Sequence, residues 1–131
     1  RFRKAREANF RRLLRFFRRH EEFFVLPVED PSVRTQWLAF PLTIRKSTPF
    51  SRLEIVTYLE RHNVQTRPIF TGNILRQPGF RHIPHRTARG GYPVTDEIME
   101  RGFVVGCHHG LTAKHLQRLG SLFTKFLMKY R

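Results

Sequence analysis

The fold is decided near the carboxyl end of the chain, where residues 95–127 read TDEIMERGFVVGCHHGLTAKHLQRLGSLFTKFL. The first part predicts a short helix that Thr95 caps and Gly102 ends, with two acidic residues in the first turn at the positive end of the dipole. Residues 103–106 are an apolar run typical of a short buried strand. A longer helix follows from Thr112, because apolar residues then recur at helical spacing. Those expected to face a core are Leu116, Leu119, Leu122, Phe123, Phe126, Leu127 and Tyr130.

Two more helices are predicted upstream of this stretch. Residues 1–22 form an amphipathic, arginine-rich lead helix, whose apolar side chains fall at i, i+3, i+4 and i+7. Ser51 and Glu54 have the spacing of a capping box, so a helix begins there and ends near residues 62–63. The inward residues are expected to be Phe10, Leu13, Leu14 and Phe17 in the first helix, and Leu53, Val56 and Leu59 in the second.

Three other segments read as strands: residues 23–26, 36–45 and 64–70. Pro41 interrupts the middle one, which favours an edge position or a local break, because proline donates no ladder hydrogen bond. Residues 76–92 are rich in glycine and proline and are predicted to form a long loop. The resulting order α-β-β-α-β-α-β-α predicts an α/β fold, a two-layer sandwich of helices on a small sheet.

Composition indicates one globular domain with a basic surface. The chain has 131 residues, of which 40% are hydrophobic and 27% charged, and a formal net charge of +15. Nine of the 25 basic residues lie in the first 19 positions, against one acid, Glu7. The excess charge therefore belongs largely to the lead helix, although it also permits a polyanion- or nucleic-acid-binding module.

Other sequence features concern the compartment. The single cysteine, Cys107, excludes an internal disulfide and an all-cysteine zinc site, and it fits a cytoplasmic protein. No apolar run reaches the ~20 residues of a membrane span, and no signal peptide is apparent. Because the chain starts without methionine, inside a predicted helix, we expect it to be one piece of a longer protein.

No complete catalytic motif is present, but two segments have unusual compositions. Residues 66–78 read TRPIFTGNILRQP, a strand end and polar turn with arginine, asparagine and glutamine side chains that suit a phosphate or a sugar hydroxyl. Residues 106–112 read GCHHGLT and precede a helix N-terminus, a position that favours anions. A zinc site built from His82, His85 and residues 107–109 is disfavoured, because the first pair lies in the loop and adjacent residues converge poorly on one ion.

These segments resemble the DegT/StrS family of pyridoxal-phosphate sugar aminotransferases, and within it the nucleotide-4-keto-6-deoxyhexose 3-dehydratase branch. Residues 66–78 are similar to a motif of that branch. Residues 92–99 and 102–112 are similar to its C-terminal signature, and residues 30–32 with 37–43 resemble its domain-opening strand. The resemblance covers essentially the whole chain, and it implies that residues 1–131 are the C-terminal small domain of a fold type I aminotransferase architecture.

The resemblance also implies a cofactor, pyridoxal phosphate or its amino form (PLP or PMP), held by a large domain outside this chain. There a lysine serves the aminotransferases and a histidine base serves the 3-dehydratases, so no catalytic residue and no bound cofactor are expected in the chain itself. The implied parent removes the C3 hydroxyl of a nucleotide-linked 4-keto-6-deoxyhexose, for dideoxysugar and lipopolysaccharide synthesis. No lysine here lies in a matching motif; they are Lys4, Lys46, Lys114, Lys125 and Lys129.

In that architecture the small domain closes one side of the active site. The candidate contacts to substrate or cofactor phosphate are Arg67, Asn73, Arg76 and Gln77, with His108 and His109 at the rim. Each has a plainer alternative: the asparagine can serve only a turn, the following arginine and glutamine can bridge domains or subunits, and the histidines can be structural.

The expected partners are the nucleotide sugar, the parent's large domain and a second copy of the parent, with no membrane partner. A sugar aminotransferase is the alternative within the family. Direct nucleic-acid binding is the alternative of another class, and it is disfavoured because no recognition motif is present.

Overall fold

The computed structural model describes residues 1–131, and its elements follow the predicted order. The helices are α1 (Phe2–Phe17), α2 (Arg52–Arg61), α3 (Pro93–Arg101) and α4 (Ala113–Leu127), and the strands are β1 (Phe24–Val25), β2 (Ala39–Ile44), β3 (Thr66–Pro68) and β4 (Gly102–Gly106). Single 3₁₀ turns extend α1 and α4 and shape the chain after β3; they are Arg18–His20, Met128–Tyr130, Ile74–Arg76 and Pro78–Phe80.

The four strands form one antiparallel sheet in the order β1-β2-β4-β3. β2 pairs with β4 from Ala39 opposite Gly106 to Thr43 opposite Gly102. On the other side of β4, Arg67 of β3 lies opposite Val104. This register places the end of β4, and the turn that follows it, beside the start of β3.

Of the two alternatives for Pro41, the edge position is wrong for the strand as a whole, because β2 lies between β1 and β4. The proline is tolerated for a local reason. Arg45 donates its backbone N–H to the carbonyl of Phe23 at 2.9 Å, and strand alternation turns the nitrogen of Pro41 to that same side. β1 pairs only with Thr43 and Ile44, so no donor is required from the proline.

The core lies between the sheet and helices α1, α2 and α4, and 19 apolar residues are buried in it. Phe40, Leu42 and Ile44 alternate into this core from β2. The ring centroid of Phe17 in α1 lies 4.8 Å from that of Phe123 in α4, which joins the two helices over the sheet. Fully burying a side chain of this size contributes ~1.5–3 kcal/mol. The predicted α/β two-layer sandwich is therefore confirmed.

The helix boundaries agree with most of the sequence patterns. Ser51 caps α2 in the predicted capping box, donating its backbone N–H to a Glu54 carboxylate oxygen at 2.7 Å, and Thr112 caps α4. The apolar stripe of α1 faces the core as expected. Three of its members are buried and one is half-buried; these are Phe10, Leu13, Phe17 and, half-buried, Leu14.

Three local expectations are wrong. Leu53 is 74% exposed, and Ile55 enters the core in its place, since the inward arc of α2 is centred on Ile55 and Leu59. Thr95 does not cap α3, which begins at Pro93 because proline suits the first position of a helix.

The third strand is shorter than residues 64–70. Pro68 ends β3, since it has no N–H for a further ladder bond, and Phe70 has a φ of 48°, which no strand accommodates. The chain then enters its 3₁₀ turns, so the segment that carries the candidate polar residues is a turn.

Candidate functional site

A basic cleft of about 420 Å³ opens beside β3 and β4. Its walls are β3, the end of β4 with the turn that follows, and the first turns of α4. Arg67 and Arg118 contribute guanidinium groups and His108 and His115 contribute imidazoles, while no acidic side chain lines the cleft. Such a donor set suits an anionic group, above all a phosphate.

Arg67 is placed in the cleft by the pairing of β3. Arg67 lies opposite Val104 on the exposed face of the sheet. Its guanidinium donates to the carbonyl of Thr66 at 2.7 Å. The neighbouring residue, Thr66, is buried. Its polar groups are satisfied by Glu60, which accepts from the Thr66 N–H at 2.6 Å and from the Thr66 hydroxyl at 2.8 Å. These two bonds lower the pKa of Glu60 and fix the strand end that presents Arg67.

The adjacent residues His108 and His109 have different environments. His108 lines the cleft, and its Nδ1 accepts from the N–H of Gly110 at 3.2 Å. Asn9 of α1 holds the same turn by donating to the His108 carbonyl at 2.9 Å. His109 lies outside the cleft and stacks on Phe2, with ring centroids 4.1 Å apart. Of the candidates, the cleft therefore unites Arg67 and His108 only.

Two cleft residues were not foreseen from the sequence. His115 is the third residue of α4 and accepts at Nδ1 from the backbone N–H of Thr112 at 3.1 Å. Arg118 lies one turn further on and donates to the carbonyl of His62 at 2.7 Å. The available signal was their position on the first turns of a capped helix whose N-terminus had already been singled out.

The other candidates meet at a different point, around Asp96 of α3. Asn73 is 5% exposed, donates to a carboxylate oxygen of Asp96 at 2.6 Å, and accepts from the N–H of Leu75 at 3.1 Å. Arg76 binds both oxygens of the same carboxylate, at 3.1 and 2.8 Å. Hydrogen bonds from Arg76 and Asn73 lower the pKa of Asp96 to about 2. Gln77 donates to the carbonyl of Thr71 at 2.7 Å.

These bonds orient the turn after β3 against α3 and leave its polar side chains engaged within the chain. The geometry favours a positioning role for Asn73, in line with the turn interpretation. Direct contact of Asn73, Arg76 or Gln77 with a substrate stays a prediction.

Nucleophilic and metal chemistry have few candidates in the chain. Cys107 is fully buried, and burial raises the pKa of its thiol to about 11, so the reactive thiolate is scarce at neutral pH. No three histidine, cysteine, aspartate or glutamate side chains group as they do around a metal ion. None of the helices has the length and apolar character needed to cross a membrane.

The two-layer fold matches aminotransferase-fold proteins. The chain is similar to an Escherichia coli GDP-4-keto-6-deoxy-D-mannose-3-dehydratase with bound hydrated PLP, with a TM-score of 0.81, 22% identity, and coverage of 91% of this chain and 30% of that one. It is also similar to an aminotransferase from Psychrobacter cryohalolentis, with a TM-score of 0.83, 15% identity, and coverage of 98% and 35%. At these identities the likeness shows the fold.

The sequence gives the family. Residues 1–124 match the DegT/DnrJ/EryC1/StrS aminotransferase family, and the chain belongs to it. It is 34% identical to the lipopolysaccharide biosynthesis protein RfbH of Salmonella typhimurium over 95% of this chain and 28% of that protein. It is 33% identical to the dTDP-4-dehydro-2,6-dideoxy-D-glucose 3-dehydratase of Saccharopolyspora spinosa over 98% of this chain and 27% of that enzyme. The chain thus spans little more than a quarter of these relatives' length.

Proposed function

We propose that this chain is the small domain of a PLP- or PMP-dependent nucleotide-4-keto-6-deoxyhexose 3-dehydratase, a cytoplasmic enzyme of dideoxysugar and lipopolysaccharide synthesis. The observation that carries the proposal is the match to relatives with dehydratase and lipopolysaccharide names over 95% and 98% of the chain. The partners we propose are the nucleotide-linked sugar, the parent's large domain and a second copy of the parent.

The role of the chain in that enzyme is to supply the cationic wall of the active site. Arg67 and Arg118 bear guanidinium groups that suit a diphosphate, and His108 adds a hydrogen-bonding group at the same opening. The turn in which Asn73 and Arg76 bind Asp96 follows β3, the strand that presents Arg67.

The arginine and histidine side chains of the cleft suit the anionic groups of a cofactor or a nucleotide sugar. No lysine lines the cleft, so it offers no amine for covalent attachment of the cofactor. Lys46 pairs with Glu97 at 3.5 Å, and Lys129 lies over the ring of Tyr58 at 5.4 Å. When bound in the parent, the pyridine ring supplies an electron sink for loss of the C3 hydroxyl. The residues of this chain bind and orient the substrate beside it.

A sugar aminotransferase is the second candidate, favoured by the TM-score of 0.83 against an aminotransferase. The two are separated by loading the full-length parent with pyridoxal phosphate, reducing it with borohydride and searching its peptides by mass. The dehydratase reading expects bound cofactor without pyridoxyl-lysine. A trapped lysine would establish the aminotransferase, and a parent that binds no cofactor would refute both.

The cleft is tested by Arg67→Ala and Arg118→Ala in the parent. Loss of one charge-assisted hydrogen bond to a phosphate costs about 1.5–3 kcal/mol, so kcat/KM is expected to fall roughly 10- to 150-fold, mainly through KM. Arg81→Ala is the matched control, since Arg81 is exposed in the loop and makes no ion pair or side-chain hydrogen bond. An unchanged KM in both cleft variants would remove the cleft from the active site.

A further inference from the structure

The exposed face of α1 and the turn after it carry a charge pattern that the proposed function does not use. Six exposed cationic residues, at 100° per residue, fall within about 120° of the helix circumference. At 1.5 Å per residue they extend along about 22 Å. We call this set the cationic stripe; its members are Lys4, Arg11, Arg12, Arg15, Arg18 and Arg19.

Nothing in the chain neutralises the cationic stripe. None of the ion pairs involves a member of it, and none of its side chains makes a hydrogen bond within the chain; Arg131 reaches only the backbone carbonyl of Arg19. The one acid of α1, Glu7, contacts Arg3 at 3.6 Å and Arg34 at 3.9 Å instead. Like charges three and four residues apart on a helix repel, so the stripe is destabilising unless an anionic partner covers it.

The same charge continues across the groove between α1 and α4. This groove has a volume of about 940 Å³ and is lined by Arg12, Arg15 and Arg19 on one side and by Lys125 on the other, without an acidic residue. Met128, which is 68% exposed, lies on the α4 side of the groove. The basic surface therefore spans two helices and includes one exposed apolar side chain.

We propose that the cationic stripe, together with Lys125 and Met128, binds the surface of an anionic lipid bilayer. A band of cations along the exposed side of a helix can face a flat anionic surface over the length of that helix, and each Lys or Arg held near an anionic membrane adds to binding. Met128 supplies an apolar side chain that can enter the headgroup region beside them.

Other partners fit the surface less well. Single-stranded nucleic acid is bound through exposed aromatic platforms. In α1, Phe16 is half-buried with the Arg19 guanidinium 5.4 Å from its ring centroid, and Phe2, although 61% exposed, stacks on His109. A second copy of this chain also carries +15 and would be repelled. The expectation of no membrane partner follows from the lack of a spanning segment, and a peripheral contact needs none.

The test is co-sedimentation of the full-length parent, and of the 131-residue chain, with vesicles. Both are expected to bind vesicles of phosphatidylcholine with phosphatidylglycerol, to ignore phosphatidylcholine alone, and to bind less as salt rises. The triple variant Arg11→Ala, Arg12→Ala, Arg15→Ala is expected to lower the partition coefficient roughly a hundredfold.

The matched control is Arg81→Ala, Arg86→Ala, Arg89→Ala, which removes the same charge from exposed loop residues. It is expected to bind as the unmodified protein does, with circular dichroism showing that both variants are folded. Equal losses in the two variants would mean attraction by net charge and would overturn the proposal. So would binding by the chain but not the parent, no vesicle binding at low salt, or tighter binding to a single-stranded oligonucleotide than to the vesicles.

Discussion

Asn73 is a single buried polar residue on which the turn after β3 depends. Its amide group serves Asp96 and the N–H of Leu75 at once. We expect Asn73→Ala to lower the free energy of unfolding by about 1–3 kcal/mol, because the buried amide is removed and both of its partly buried hydrogen bonds are lost. Urea unfolding followed by circular dichroism measures the change.

The control for this variant is Gln77→Ala. Gln77 is half-buried and donates one bond, to the carbonyl of Thr71 in an exposed place, so a loss of about 0.5 kcal/mol or less is expected. If Asn73→Ala were as mild as Gln77→Ala, the turn would not depend on the buried amide.

The carboxylate of Asp96 makes stability depend on pH in a defined window. Hydrogen bonds from Arg76 and Asn73 lower its pKa from 3.8 to about 2 in the folded chain. Its contribution is therefore complete above pH ~4 and is lost as the pH falls through about 2. The chain is expected to unfold at higher urea than Asp96→Asn at neutral pH, with the gap closing toward pH 2. A gap that stays constant with pH would show that the ion pair contributes nothing.

At the scale of elements, the capping box gives α2 its start. Ser51 donates its N–H to the Glu54 carboxylate and accepts from the Glu54 N–H at 3.2 Å. Ser51→Ala is expected to cost about 1 kcal/mol of stability. Ser121→Ala is the matched change inside α4, where alanine favours the helix and no loss is expected. Equal effects on the urea midpoint would argue against the cap.

The elements were predictable where a short-range rule decides them. The caps at Ser51 and Thr112 and the apolar stripe of α4 depend on residues three or four apart, which the sequence displays. Leu53 and Pro41 were misjudged because their environment is set by the pairing of distant elements: which arc of α2 meets α4, and how far β1 extends along β2. These tertiary contacts are fixed only when the helices and the sheet are assembled.

The candidate site shows the same division. Arg67 and His108 share a cleft because β3 and β4 are neighbours, an outcome that antiparallel pairing allows but the sequence does not specify. Arg76 and Asn73 meet Asp96 across 20 and 23 residues, so their common partner was not foreseen. The candidate residues of the two motifs therefore separate into a cleft, with Arg67 and His108, and a hydrogen-bonded turn, with Asn73 and Arg76 on Asp96.

At the scale of the whole molecule, a net charge of +15 sits on a chain with ten acidic residues. Repulsion among these charges opposes the compact state, and it is strongest where the cationic stripe concentrates them. The Debye length falls from about 30 Å to about 8 Å as the ionic strength rises from about 0.01 M to about 0.15 M, which is shorter than the stripe itself.

Sodium chloride is therefore expected to raise the thermal unfolding midpoint of the chain over this range. The variant Arg11→Ala, Arg12→Ala, Arg15→Ala should start from a higher midpoint at low salt and gain less from added salt, because its stripe repels itself less. The loop variant Arg81→Ala, Arg86→Ala, Arg89→Ala loses the same charge from dispersed positions and should keep more of the dependence. A midpoint that falls with salt would mean that attractive ion pairs, such as that of Arg76 with Asp96, outweigh the repulsion along α1.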